Sequence, residues 1–155
     1  MSTDRFGFEL PLLLAGAFRA LIDDLHRELA RRGHPDARPV HGFALQAIGG
    51  GARVSDLARR LGVTKQAAAK TATALEGLGY ITRESDPADA RAVRLRRTPR
   101  GEEMLALSAE IFERQRTRWA AQLGADRVRA LEDDLERIAG AGGSAKLGDL
   151  PGWLR

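Results

Sequence analysis

The chain has 155 residues, enough for one domain or for one domain with dimerisation arms. Apolar residues make up 43% and aromatic ones only 5%, so a globular core must be built mostly from Leu, Ala, Val and Ile. The absence of cysteine excludes a disulfide scaffold, a Cys-ligated zinc or iron–sulfur site and a thiol redox sensor, and no 18-residue apolar run offers a transmembrane helix. The formal charge of +4 is spread unevenly. Residues 53–101 hold eleven basic and five acidic side chains, a net +6, between a balanced stretch before them and a net −2 after. A basic centre flanked in this way suits a polyanion better than it suits a uniformly solvated surface. With Asp4 and Glu9 near its start and no cationic leader segment, the chain is expected to be soluble and cytoplasmic.

Pro11 to Arg32 reads as one long helix, because Leu14, Phe18, Leu21, Ile22, Leu25 and Leu29 recur at spacings of three and four. Gly33, His34 and Pro35 stop it. A short helix over about Val40–Ile48 runs into Gly49-Gly50-Gly51, a turn with no phosphate-loop Lys-Ser/Thr after it and so no nucleotide site. Ser55–Leu61 and about Lys65–Leu78 then form two helices around Gly62-Val63-Thr64, with the Thr64 hydroxyl placed to cap the second. Two helices about a short glycine-containing turn are a helix-turn-helix signature, although the pattern alone also fits any other αα-corner.

The next segment narrows the choice. Tyr80–Glu84 and Ala92–Arg96 read as strands, and Ser85–Arg91 as a polar turn between them. A hairpin directly behind a helix-turn-helix is a wing, here with Arg94 and Arg96 on its outward side and Arg91 at its tip. Thr98-Pro99 opens another helix, with Met104, Leu107, Ile111, Trp119 and Leu123 on its buried side. Gly124 ends it, and Val128, Leu131, Leu135 and Ile138 stripe a last helix before Gly140. Beyond it lies a Gly-rich tail, in which Trp153 and Leu154 could dock on a partner surface.

This layout, with Leu57-Ala58-x-x-Leu61-Gly62, the Leu75-x-x-Leu78-Gly79-Tyr80-Ile81 exit, the Asp86-Pro87-x-Asp89-x-Arg91 tip and Thr98-x-x-Gly101, resembles the MarR family of bacterial transcription regulators over nearly the whole chain. The resemblance implies a mainly α fold with a small β-hairpin wing. It implies a single unit over 1–155, in which 1–35 and 102–155 are dimerisation helices and 36–101 the winged helix-turn-helix head. It further implies a homodimer that binds double-stranded DNA at a palindromic operator, as a repressor released by a small aromatic effector, without cofactor, metal, membrane or enzymatic activity. Two positions depart from the family pattern: Arg97 stands where an apolar residue usually precedes the threonine, and Arg53 where a Ser/Thr cap usually opens the third helix.

Subtracting the inward stripe of the second helix in the motif leaves Lys65, Gln66, Ala69, Lys70 and Thr73 facing out. Gln can bond an adenine edge bidentately and Lys can reach a guanine or a phosphate, while Thr64 brings a helix N-terminus to the DNA backbone. The resemblance places Arg91 in the minor groove, held by Asp89, and narrow grooves favour a planar guanidinium. Arg94, Arg96 and Arg97 are expected at phosphates. For an effector crevice between head and dimer helices the candidates are Phe18, His26, His41, Phe43 and Trp119. His26, His34 and His41 form no i, i+4 ligand pattern, so a metal site is not expected. Two other readings stay open: a helical protein-interaction module with a degenerate winged head, and a non-specific architectural DNA-binding protein. Exposed large apolar residues on the outward helix face would favour the first, and equal affinity for all duplexes the second.

Overall fold

The computed structural model describes residues 6–139; the tail with Trp153 and Leu154 lies outside them. The described residues form α1 (Glu9–Arg31), α2 (Pro39–Ile48), α3 (Val54–Leu61), α4 (Lys65–Gly77), the antiparallel hairpin β1 (Ile81–Asp86) and β2 (Asp89–Arg97), α5 (Pro99–Leu123) and α6 (Ala125–Ala139). The fold is mainly helical with one small hairpin, as the sequence predicts.

Local chemistry sets the boundaries of the head. Gly62 takes a left-handed conformation (φ +67°) that ends α3 in the way a side chain with a Cβ would resist. Two residues on, the Thr64 hydroxyl accepts the Ala67 N–H at 3.1 Å and starts α4. At the other end of α3, where Arg53 stands in place of a capping hydroxyl, the Asp56 carboxylate reaches back to accept the Arg53 N–H at 3.2 Å. Thr98 works twice: it accepts the Gly101 N–H at 3.1 Å to cap α5, and donates to the Gly79 carbonyl at 2.6 Å. Gly101 is buried against the Tyr80 carbonyl, a closeness that leaves no room for a Cβ.

Leu45, Ile48, Leu57, Leu75, Ile81 and Leu95 gather the head around one core, to which α1 adds Leu25 and Leu29 and α5 adds Met104 and Ile111. Side-chain bonds hold the long helices together. Gln115 donates to the Leu21 carbonyl and the Asp24 carboxylate, each at 3.0 Å, and Arg116 grips Glu132 of α6 with two nitrogens.

The apolar stripes run further than the core reaches. Of the α1 stripe only Ile22, Leu25 and Leu29 are buried; Phe18 and Leu21 are half-buried and Leu14 is exposed. Phe6, Phe8, Leu10, Leu12 and Leu13 are exposed beside it. On α5 Leu107 and Trp119 are half-buried and Leu123 is exposed, and on α6 only Val128 is buried while Leu131, Leu135 and Ile138 are not. The physical reason is that α1 meets α5 only along its second half, so the described residues leave the rest of the stripes uncovered.

The hairpin also differs from the expected strands and seven-residue turn. Both strands continue to a two-residue reversal, Pro87-Ala88, because the Asp86 carboxylate accepts the Ala88 N–H at 2.9 Å and closes a tight turn. Pairing runs regularly from Ile81↔Arg97 to Ser85↔Val93 and then slips to Asp86↔Asp89. Ala90, Arg91 and Ala92 are therefore extra residues on β2, a bulge at the tip.

Candidate nucleic-acid interface

The outward face of α4 is polar. Ala68, Ala72 and Leu75 are buried, Lys65, Gln66, Lys70 and Thr73 are exposed, and Ala69 is half-buried. Thr64 is exposed at the helix start. No large apolar side chain stands on this face. Thr73 is the least free of the group: its hydroxyl donates to the Ala69 carbonyl at 3.1 Å and receives Arg83 at 3.3 Å. Arg83, which also bonds Glu76 at 2.9 Å, brings a cation from β1 to the edge of α4. Sequence reasoning overlooked it, although its place on a strand directly behind the helix was a usable signal.

On the wing, Arg91 is exposed in the bulge, and among the described residues no acceptor holds its guanidinium. Asp89 accepts the backbone N–H of Arg91 at 3.0 Å. Its carboxylate thus shapes the bulge from which Arg91 projects, and does not grip the guanidinium itself. The arginines expected at phosphates are largely committed elsewhere. Arg94 lies across Gly51 and donates to its carbonyl at 3.3 Å. Arg96 meets Glu84 at 2.8 Å and reaches the Gly50 carbonyl at 3.4 Å. Arg97 is half-buried with its Nε 3.0 Å from Glu102, a charge contact whose direction does not suit a hydrogen bond. The triple-glycine turn is thus a seat for the wing, and Ala52 behind it exchanges both backbone hydrogen bonds with Leu95.

The effector candidates divide. Phe18, His26 and Phe43 line one cavity of about 400 Å³ between α1, α2 and α5, closed further by Arg38, Met104 and Phe112. His41 and Trp119 do not join them. The Nδ1 of His41 accepts the Arg38 N–H at 3.0 Å, which turns the ring into the core toward Tyr80. Trp119 lies seven residues beyond Phe112 along α5, about 10 Å at the helical rise, and lines a separate cavity of about 230 Å³ with Asp24, Arg27 and Gln115. The cavity residues missed from sequence are mainly Arg38, Met104 and Phe112; the α5 pair lies on the face opposite Phe18, which periodicity alone could have suggested.

Behind the wing sits a buried pair. His34 bonds the Tyr80 hydroxyl through Nδ1 at 2.9 Å, and Arg100 covers the Tyr80 ring. Burial, reinforced by the Arg100 charge, holds the His34 imidazole below its ordinary value, and burial does the same to His41 with help from Arg38 and His26. Among the described residues no cluster of three His, Cys, Asp or Glu could hold a metal, and no helix is long and apolar enough to cross a membrane.

Comparison with known proteins agrees with this geometry. The MarR family profile matches residues 43–92, which include the helix-turn-helix and most of the wing. A solved MarR structure is 30% identical, with 84% of this chain and 94% of that one aligned at a TM-score of 0.67. The chain belongs to the MarR family. A second likeness is the transcriptional repressor CouR, solved bound to a 23-mer DNA duplex: 26% identity, 84% of this chain and 92% of that one, TM-score 0.68. YusO from Bacillus subtilis is 21% identical over 91% of this chain and all of its own, with a TM-score of 0.67, a likeness of fold. No curated protein sequence matches the chain. Within a MarR fold, α4 is the second helix of the motif and β1–β2 the wing, so the polar face lies on the second helix and the exposed Arg91 on the wing.

Proposed function

We propose that the chain is a cytoplasmic, sequence-specific DNA-binding repressor that acts as a homodimer on a palindromic operator and is released by a small aromatic effector. The observation that carries this reading is the outward face of α4: Lys65, Gln66, Lys70 and Thr73 exposed, with no apolar anchor for a protein partner. Gln66 reads a base edge, Lys65 and Lys70 contact guanine or phosphate, Thr64 and Ala69 approach the backbone and bases closely, and Arg91 enters the adjacent minor groove. CouR, a repressor bound to a duplex, supports the same use of this fold.

Residues 1–35 and 102–155 serve as the dimerisation helices and 36–101 as the head. The exposed Phe6, Phe8, Leu10, Leu12, Leu13 and Leu14 would each gain about 1.5–3 kcal/mol on full burial, a gross term on the order of 10 kcal/mol that a second copy can collect. The cavity between α1, α2 and α5 suits a flat apolar effector beside Phe18 and Phe43, with His26 and Arg38 at its polar side.

Footprinting on genomic DNA, followed by competition between the footprinted site and random duplex at fixed salt, tests the reading. A preference on the order of a thousandfold or more is expected. Equal affinity for all duplexes would establish the architectural reading instead.

A further inference from the structure

The wing is fastened at its base and, separately, at its tip. At the base, Ala52 pairs with Leu95 and Arg94 covers Gly51. Leu95 pairs with Arg83, and the tip begins three residues further on, about 10 Å away at the rise of a strand. A two-stranded hairpin has little stability of its own over that distance. One side chain spans the gap. Arg53, at the N-terminal end of α3, donates from Nε to the Asp86 carboxylate at 2.7 Å. The Asp86 side chain is only 4% exposed, and its two oxygens are divided: one receives Arg53 and the other receives the Ala88 N–H that makes the turn. Asp56 meanwhile accepts the Arg53 backbone N–H at 3.2 Å, so the residue is held at its backbone by α3 and at its guanidinium by the wing.

We propose that Arg53 is a positioning residue for DNA binding: through Asp86 it fixes the angle at which the wing tip presents Arg91. This rests on the DNA-binding reading proposed for the chain. A wing that swings freely must be ordered when Arg91 enters the groove, and that ordering weakens binding. The alternative role for a cation in a net +6 segment is direct contact with a phosphate. The two roles predict opposite effects for Asp86→Asn. Loss of a negative charge strengthens binding if only charge matters, and weakens it if the carboxylate anchors the wing. The asparagine keeps an oxygen for the Ala88 N–H, so the turn survives, while its amide offers Arg53 a donor in place of an acceptor.

The experiment measures affinity of wild type, Arg53→Met, Asp86→Asn and the double variant for the footprinted duplex over a range of salt. Each single variant should bind roughly three- to tenfold more weakly, the double variant no worse than either single one, with an unchanged salt slope. Tighter binding by Asp86→Asn, or a slope reduced by about 1 in Arg53→Met, would overturn the proposal. Hydrogen exchange on the free protein decides the clamp without DNA. Amides of residues 84–93 should exchange faster in both single variants while those of α4 and α5 keep their rates. Unchanged wing exchange, or acceleration throughout the chain, would also overturn it. A wild-type chain that bound no duplex would remove the DNA reading and the positioning role with it, and exchange would still report separately whether the clamp exists.

Discussion

Replacing Gly101 by Ala puts the packing of α5 on the wing base to a quantitative test. A Cβ there falls well inside contact distance of the Tyr80 carbonyl oxygen, with the carbonyl carbon only 3.2 Å away. Neither side yields easily. Tyr80 O also accepts the Thr98 N–H at 3.0 Å, and Thr98 is tied to Gly79 by its hydroxyl. Overpacking against fixed backbone costs about 1–3 kcal/mol, and stretching the Thr98 bond about another 0.5–1.5 kcal/mol. The gain in helix propensity from Gly to Ala is at most about 1 kcal/mol. The sum is a net loss on the order of 1–3 kcal/mol. Gly42→Ala is the control, since it lies inside α2 with nothing within 4 Å of an added Cβ, and it should stabilise by up to about 1 kcal/mol. Urea unfolding of both variants should move the midpoint in opposite directions. A Gly101→Ala midpoint at or above wild type would refute the close approach of α5 to the wing base.

Three further outcomes are expected. Gln66→Ala should relax preference at one or two base pairs of each half-site by about 1–3 kcal/mol in competition binding, with little effect on random duplex; equal loss on both would remove its reading role. Because Asp89 bonds the Arg91 backbone N–H, Asp89→Ala should weaken operator binding and Asp89→Asn should largely retain it, with coupling to Arg91→Ala of about 1 kcal/mol in a double-mutant cycle; additive losses would mean that the two residues act independently. The imidazoles of His34 and His41 are held below their ordinary value, so in acid the unfolded chain takes up protons that the folded one refuses. Their contribution is complete above about pH 6.5 and is lost as pH falls below it, so the urea midpoint should drop from pH 7.5 to 5.5, and a rise would contradict the burial of the two rings.

The sequence carried most of what is local. Thr64 and Thr98 announce their caps, Gly62 its turn, and the alternation in Ala92–Arg96 its strand, because each needs only near neighbours. It could not carry what depends on distant partners. Alternation says that Arg94 and Arg96 share a face, but not that Gly50 and Gly51, more than forty residues earlier, stand opposite and take their donors. The same holds for His41: its place on a short helix fits a cavity wall, and only the Arg38 N–H turns it away. Apolar stripes on α1 and α6 run beyond what the described core buries, and their periodicity does not separate cover by the same chain from cover by a second copy. The two-residue wing tip escaped for a smaller reason, since Ser85–Arg91 has the composition of a loop and only the Asp86–Ala88 bond makes it a tight reversal.

Selection of duplexes from a randomised library by the intact protein tests the central claim most directly. A two-fold symmetric motif is expected, with half-site centres about one helical turn, roughly 34–36 Å, apart, as two α4 helices of a dimer require. Gln66→Ala should then blur the same positions in both halves. Recovery of no motif, or of an asymmetric one occupied by a single chain, would contradict it.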